Sequence, residues 1–126
     1  MTKKKIDRLS VMYRHQINWL KWYFLKDKKN QQKTVLEQMI YDSFLQGNET
    51  RAAFLTNILS TTADYVEKSD PALLKTVKEV YVFERMNVIG ACQTILFVTS
   101  SPAYERLNKW FEYYLLETYK HIPLRK

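Results

Sequence analysis

Cys92, His15 and His121 are the side chains in this sequence best suited to act as nucleophile, proton carrier or soft metal ligand, and they stand far apart along the chain. A zinc site needs three or four such donors at short, regular spacings. One cysteine and two histidines, each beside basic or apolar neighbours, do not supply them. Cys92 lies inside the apolar stretch from Ile89 to Val98, so the expected role is that of a small buried hydrophobe. Gly47 and Gly90 are too widely separated to build a glycine-rich phosphate loop. Carboxylate pairs such as Asp64 with Glu67 fall on an expected solvated face and not in acid–base positions. These residues point away from an enzyme, and no metal or cofactor is expected.

A different chemistry is written in the charge. Residues 1–35 hold ten basic side chains (Lys3, Lys4, Lys5, Arg8, Arg14, Lys21, Lys26, Lys28, Lys29 and Lys33) against Asp7 and Asp27, a net +8 in a chain whose total is +7. All of the excess is therefore N-terminal. Such asymmetry suits an anionic partner, nucleic acid first and a membrane surface less often, although a lysine-rich solvated helix has the same composition. Tyr13, Trp19, Trp22 and Tyr23 interleave with Arg14, Lys21 and Lys26. That mixture occurs in single-strand binders, but aromatics at helical spacing more often serve a core or a dimer interface. Trp19, Trp22 and Tyr23 are too dense for one buried stripe, so the expectation is a homodimer that covers them.

The elements that position these residues follow from composition and periodicity. Hydrophobic residues make up 46% of the chain, enough for a core, while two glycines and three prolines are too few for the turns of an all-β fold. The expectation is one all-α domain over residues 1–126, of about six helices. With one cysteine and no apolar run near the roughly 20 residues that span a bilayer, it is expected to be cytoplasmic, without a signal peptide and not in a membrane. The first helix is expected from about Ile6 to about Lys26, followed by a polar turn at Asp27-Lys28-Lys29-Asn30. A second helix carries Val35 to Phe44 and stops at Gly47-Asn48. A third carries Ala52 to Val66. Asp70 caps a fourth, with Pro71 at its first position. A short apolar helix lies between Val88 and Phe97, and Ser101-Pro102 opens the last, lined by Ala103, Leu107, Trp110 and Tyr114.

Residues 72–118 then have the layout of a helix-turn-helix. A supporting helix leads to a short helix with three small residues, Gly90-Ala91-Cys92, suited to a close helix crossing. Thr99-Ser100-Ser101 forms the turn. The final helix would lie in the major groove and present Ser100, Ser101, Arg106, Asn108 and Lys109 to phosphates and base edges. Lys3, Lys4, Lys5 and Arg8 would add phosphate contacts.

The stretch from Val80 to Met86, the helix with Ala91, and Thr99-Ser100-Ser101-Pro102-Ala103-Tyr104-Glu105-Arg106-Leu107-Asn108-Lys109 resemble the C-terminal end of the ArpU/RinA group of phage transcriptional regulators. The resemblance rests on a tyrosine-and-arginine segment, an alanine-bearing helix, and a serine turn followed by Tyr104-x-x-Leu107 and a basic residue. It implies a phage or prophage regulator that binds double-stranded DNA. The competing expectation is a small helical protein-binding adaptor or inhibitor, because tyrosine and tryptophan, enriched at interfaces, are abundant here.

Overall fold

The structure, a computed structural model, describes residues 8–119. Within them the fold is all-α: α1 (Arg8–Met12), α2 (Arg14–Phe24), α3 (Val35–Leu45), α4 (Glu49–Lys68), α5 (Pro71–Val77), α6 (Val88–Ala91) and α7 (Ser100–Tyr119). α5 continues as a π-helical turn over Lys78–Val82, and α6 over Cys92–Leu96. Among the described residues the only extended pairing is an isolated bridge from Lys26 to Thr34.

Caps written in the sequence set the boundaries. The Thr34 side chain accepts from the Glu37 amide at 3.2 Å, and the Glu37 carboxylate accepts from the Thr34 amide at 2.9 Å, a reciprocal box that opens α3. Gly47 ends that helix at φ +72°, a conformation that costs other residues a clash at Cβ. Asn48 caps α4 through the Arg51 amide, and Asp70 caps α5 through the Leu73 amide with Pro71 in the first turn.

The expected first helix is broken. Tyr13 leaves helical geometry (φ −113°, ψ 33°) between α1 and α2, although the Tyr13 amide donates to the Leu9 carbonyl and the Ile17 amide to the Tyr13 carbonyl, each at 2.9 Å, which carries the chain across. The kink has a packing cause. The Tyr13 ring stacks on Phe111 with centroids 5.1 Å apart, and its hydroxyl donates to Asn108 Oδ1 at 3.0 Å.

Two apolar clusters hold the helices. The larger joins α1, α2, α5, α6 and α7 around Leu20, Val77, Leu107, Phe111 and Tyr114, all fully buried. The smaller joins α2, α3 and α4 through Trp19, Leu36, Leu55 and Ile58. α7 is the common wall, with Ala103, Leu107, Trp110, Phe111, Tyr114 and Thr118 buried along its whole length at three- and four-residue steps. Each fully buried Leu or Phe contributes about 2 kcal/mol by removing its surface from water.

The segment after α5 is held by charge. Arg85 donates to Glu79 from Nε at 2.8 Å and from Nη2 at 2.6 Å, a bidentate pair that draws the chain back over the π-helical turn. Lys21 reaches Glu84 at 3.0 Å, tying this segment to α2. Arg85 thus has a structural task in the stretch from Val80 to Met86, and Tyr81 is buried in the larger cluster.

Candidate functional site

Candidate contacts begin where α6 gives way to α7. The helical stretch from Val88 ends at Phe97, which adopts φ +55°, ψ 40°. That left-handed residue reverses the chain in a short turn before Ser100 starts α7. Phe97 is 79% exposed, an unfavourable position for a bulky apolar ring with positive φ. The three small residues serve this corner unequally. Ala91 and Cys92 are buried, as a close approach needs. Gly90 is small for a local reason: a Cβ there would meet Asn87 Oδ1 at 3.3 Å, and that oxygen accepts from the Gly90 amide at 2.7 Å to cap α6.

The expected DNA-contacting residues are distributed unequally along α7. Ser100 and Ser101 are exposed in its first turn. The first amides of a helix lack partners within it and carry the positive end of the dipole, so this end suits an anion. Lys109 is exposed and lies 3.9 Å from Glu105 one turn earlier, which softens its field. Arg106 is exposed on the flank that turns toward α4. Asn108 is half-buried, and its side-chain oxygen is taken by the Tyr13 hydroxyl, so it braces the α1–α2 kink.

Arg8 supplies the link with the basic segment. It lines a shallow depression of about 410 Å³ together with Leu9, Met12, Tyr104, Glu105 and Asn108. α1 therefore runs beside the N-terminal half of α7. Lys3, Lys4 and Lys5 lie outside the described residues, as does His121.

Of the aromatic residues expected at a dimer face, Trp19 is buried within the chain and Trp22 and Tyr23 are half-buried. Trp19 is 8% exposed and packs with Leu36, Leu55 and Ile58, in edge contact with Phe54 at 6.1 Å. Trp22 and Tyr23 are half-buried against the same cluster. The periodicity of α2 alone suggested one buried stripe, whereas α2 is sandwiched between two clusters and so buries rings on two sides. The large apolar side chains that remain exposed are elsewhere, among them Val11, Met12, Phe44, Phe97 and Tyr113.

Cys92 is buried and its thiol is pushed above its ordinary range by that burial, as expected of a packed residue and not of a nucleophile. Among the described residues no group of three or more His, Cys, Asp or Glu side chains gathers to hold a metal ion. No helix among them is long and apolar enough to cross a membrane.

A cleft of about 580 Å³, with no signal along the sequence, opens between α4, the start of α5 and α7. Arg106 and Lys109 line it, joined by Lys68 from α4 and Asp70, the cap of α5. Its walls come from residues more than 40 positions apart, for example Trp110 and Ser69, whose side chains hydrogen-bond at 3.0 Å. Comparison of the chain with protein-family models, curated proteins and solved structures returned no match.

Proposed function

We propose that the protein binds double-stranded DNA as a transcriptional regulator, with α7 as the reading helix and the basic N-terminal segment as its phosphate-contacting flank. The observation that carries this reading is the depression shared by Arg8, Tyr104 and Glu105. It sets Arg8, the first described residue of the basic segment, beside the exposed first turns of α7. Without that neighbourhood, the neutral outer face of α7 would lack the positive field on which phosphate binding depends.

The roles divide by exposure. Ser100 and Ser101 sit at the helix N-terminus, where hydroxyls and unpaired amides favour a phosphate oxygen. Lys109 and Glu105 face outward from the next turns. Lysine donates to guanine O6 and N7, and a glutamate accepts from the cytosine amino group, so the pair suits a G·C step. Asn108 is reassigned from base contact to support, because its oxygen is committed to Tyr13.

A second reading, a protein-binding adaptor, is favoured by one observation: Val11 and Met12 are 64% and 55% exposed on α1, and Met12 lines the same depression. Selection of preferred duplexes from a random pool separates the two. The DNA reading expects an enriched sequence, and in Lys109→Ala the preference for it falls by about 1 to 3 kcal/mol for each base edge no longer read. An adaptor enriches no sequence.

A further inference from the structure

The cleft between α4, α5 and α7 shares Lys109 with the duplex-reading face, but its other lining residues have no part in the roles above. Hydrogen bonds across it fix how its two walls face each other. The Thr62 and Tyr114 hydroxyls meet at 2.6 Å, and Trp110 Nε1 donates to Ser69 Oγ at 3.0 Å, so α4 and α7 run antiparallel. Lys68 consequently stands at the same end as Arg106 and Lys109, while Thr61 and Asp64 stand at the end of Tyr113 and Glu117. One end is cationic and the other acidic.

Between the two ends the floor is aromatic and rigid. Tyr65 makes an edge contact with Trp110 at 4.9 Å and stacks on Tyr114 at 5.4 Å, and its hydroxyl donates to the Trp110 carbonyl at 2.6 Å. Tyr113 at the edge is 61% exposed. Thr61 adds a separate sign of an occupant. The residue is 6% exposed, and its hydroxyl oxygen is buried with no hydrogen-bond partner in the protein. Buried polar groups are nearly always bonded, so this residue of the cleft wall carries an unmet hydrogen-bonding group.

The geometry points to a nucleotide as the occupant of this cleft. A base stacks on the exposed ring of Tyr113, which any base can do through its π-face. Its phosphate lies among Lys68, Arg106 and Lys109, where charge-assisted hydrogen bonds hold it. Exocyclic amino groups of the base face Asp64. From Arg106 to Tyr113 is about 10 Å along the helix, a span that a nucleoside phosphate covers. The volume lies within the range of small-ligand sites. Acidic neighbours offset part of this charge, Asp70 at the cleft and Glu105 at 3.9 Å from Lys109, but three cations line that end against the one carboxylate of Asp70. The site binds and makes or breaks no bond.

The same chemistry is offered by a free nucleotide and by an unpaired nucleotide at the end of a strand. Calorimetric titration of the full chain with adenosine and guanosine monophosphate, inorganic phosphate, and blunt or single-nucleotide-overhang duplexes tells them apart. Binding of the monophosphates, each tighter than inorganic phosphate, identifies a free nucleotide. A preference for the overhang duplex over the blunt one identifies a strand end. In either case Lys68→Gln and Tyr113→Ala each weaken binding by about tenfold. Both residues are exposed, so unchanged thermal melting accompanies the loss. Blunt-duplex affinity of both variants stays as in the wild type, because neither Lys68 nor Tyr113 is assigned to the duplex-reading face. The inference is overturned if neither nucleotide nor overhang binds, if inorganic phosphate binds as tightly as the monophosphates, or if both variants bind like the wild type.

Discussion

The hydroxyls of Thr62 and Tyr114 lie 2.6 Å apart at the centre of the molecule, both residues fully buried, and each is the other's partner across the α4–α7 interface. Burial pushes the Tyr114 hydroxyl well above its ordinary pKa, so it stays protonated and able to bond throughout the neutral range. Removing one partner leaves a buried hydroxyl orphaned. Tyr114→Phe and Thr62→Val are each expected to cost about 1 to 3 kcal/mol in denaturant unfolding. The double variant is expected to cost less than the two single losses added together, because no orphan is left. Strict additivity would show that the pair does not act as one unit.

Trp19 separates the core reading of α2 from the dimer-face reading. As a buried member of the smaller cluster, Trp19→Ala should destabilise the chain by about 3 to 5 kcal/mol through weakened packing and a residual cavity. Chemical unfolding should give that loss independently of protein concentration. A loss that vanishes at low concentration would instead return Trp19 to an interface between copies.

The start of α3 carries a pH signature. Bonds from the Thr34 amide and hydroxyl, aided by Lys26 and Lys33, hold the Glu37 carboxyl below its ordinary range. A depressed folded pKa stabilises the fold when the group is ionised. That contribution is complete above the ordinary glutamate value of about 4.3 and is lost as pH falls through the lowered folded value. Glu37→Gln should therefore flatten the acid limb of the stability profile. Thr34→Ala should cost about 1 kcal/mol near neutral pH through loss of the cap. An unaltered acid limb in Glu37→Gln would contradict the assignment.

The parts of the fold that were legible in the sequence are those decided locally. Asp70-Pro71 and Gly47-Asn48 mark boundaries through backbone chemistry that needs no distant partner, and both stand where the residues placed them. The all-α class followed from the scarcity of turn residues together with apolar periodicity. The break at Tyr13 was not legible, because Leu9, Tyr13 and Ile17 keep helical spacing across it. Its cause, the stack on Phe111, lies almost the full length of the chain away. The burial of Trp19 was not legible for a similar reason: whether a ring is exposed depends on which helices arrive beside it. The cleft was invisible to a reading along the chain, since Arg106 and Lys68 meet only through the antiparallel pairing of α4 with α7. Arg8 was read as part of a basic arm, and its position beside α7 emerged only from the fold.

The proposal that this chain binds duplex DNA rests on the position of Arg8, at the described edge of the basic segment, beside the first turns of α7. The most direct measurement is fluorescence anisotropy of a labelled duplex of mixed sequence, titrated with wild type and with a variant replacing Lys3, Lys4, Lys5 and Arg8 by Gln, across low to moderate salt. The account predicts binding by the wild type that weakens steeply as salt rises, because phosphate neutralisation releases counterions. The variant should bind more weakly to every duplex, with a salt slope shallower by about 0.9 for each phosphate that is no longer neutralised. Absence of measurable affinity in the wild type at low salt, or a variant whose affinity and slope match it, would contradict the account.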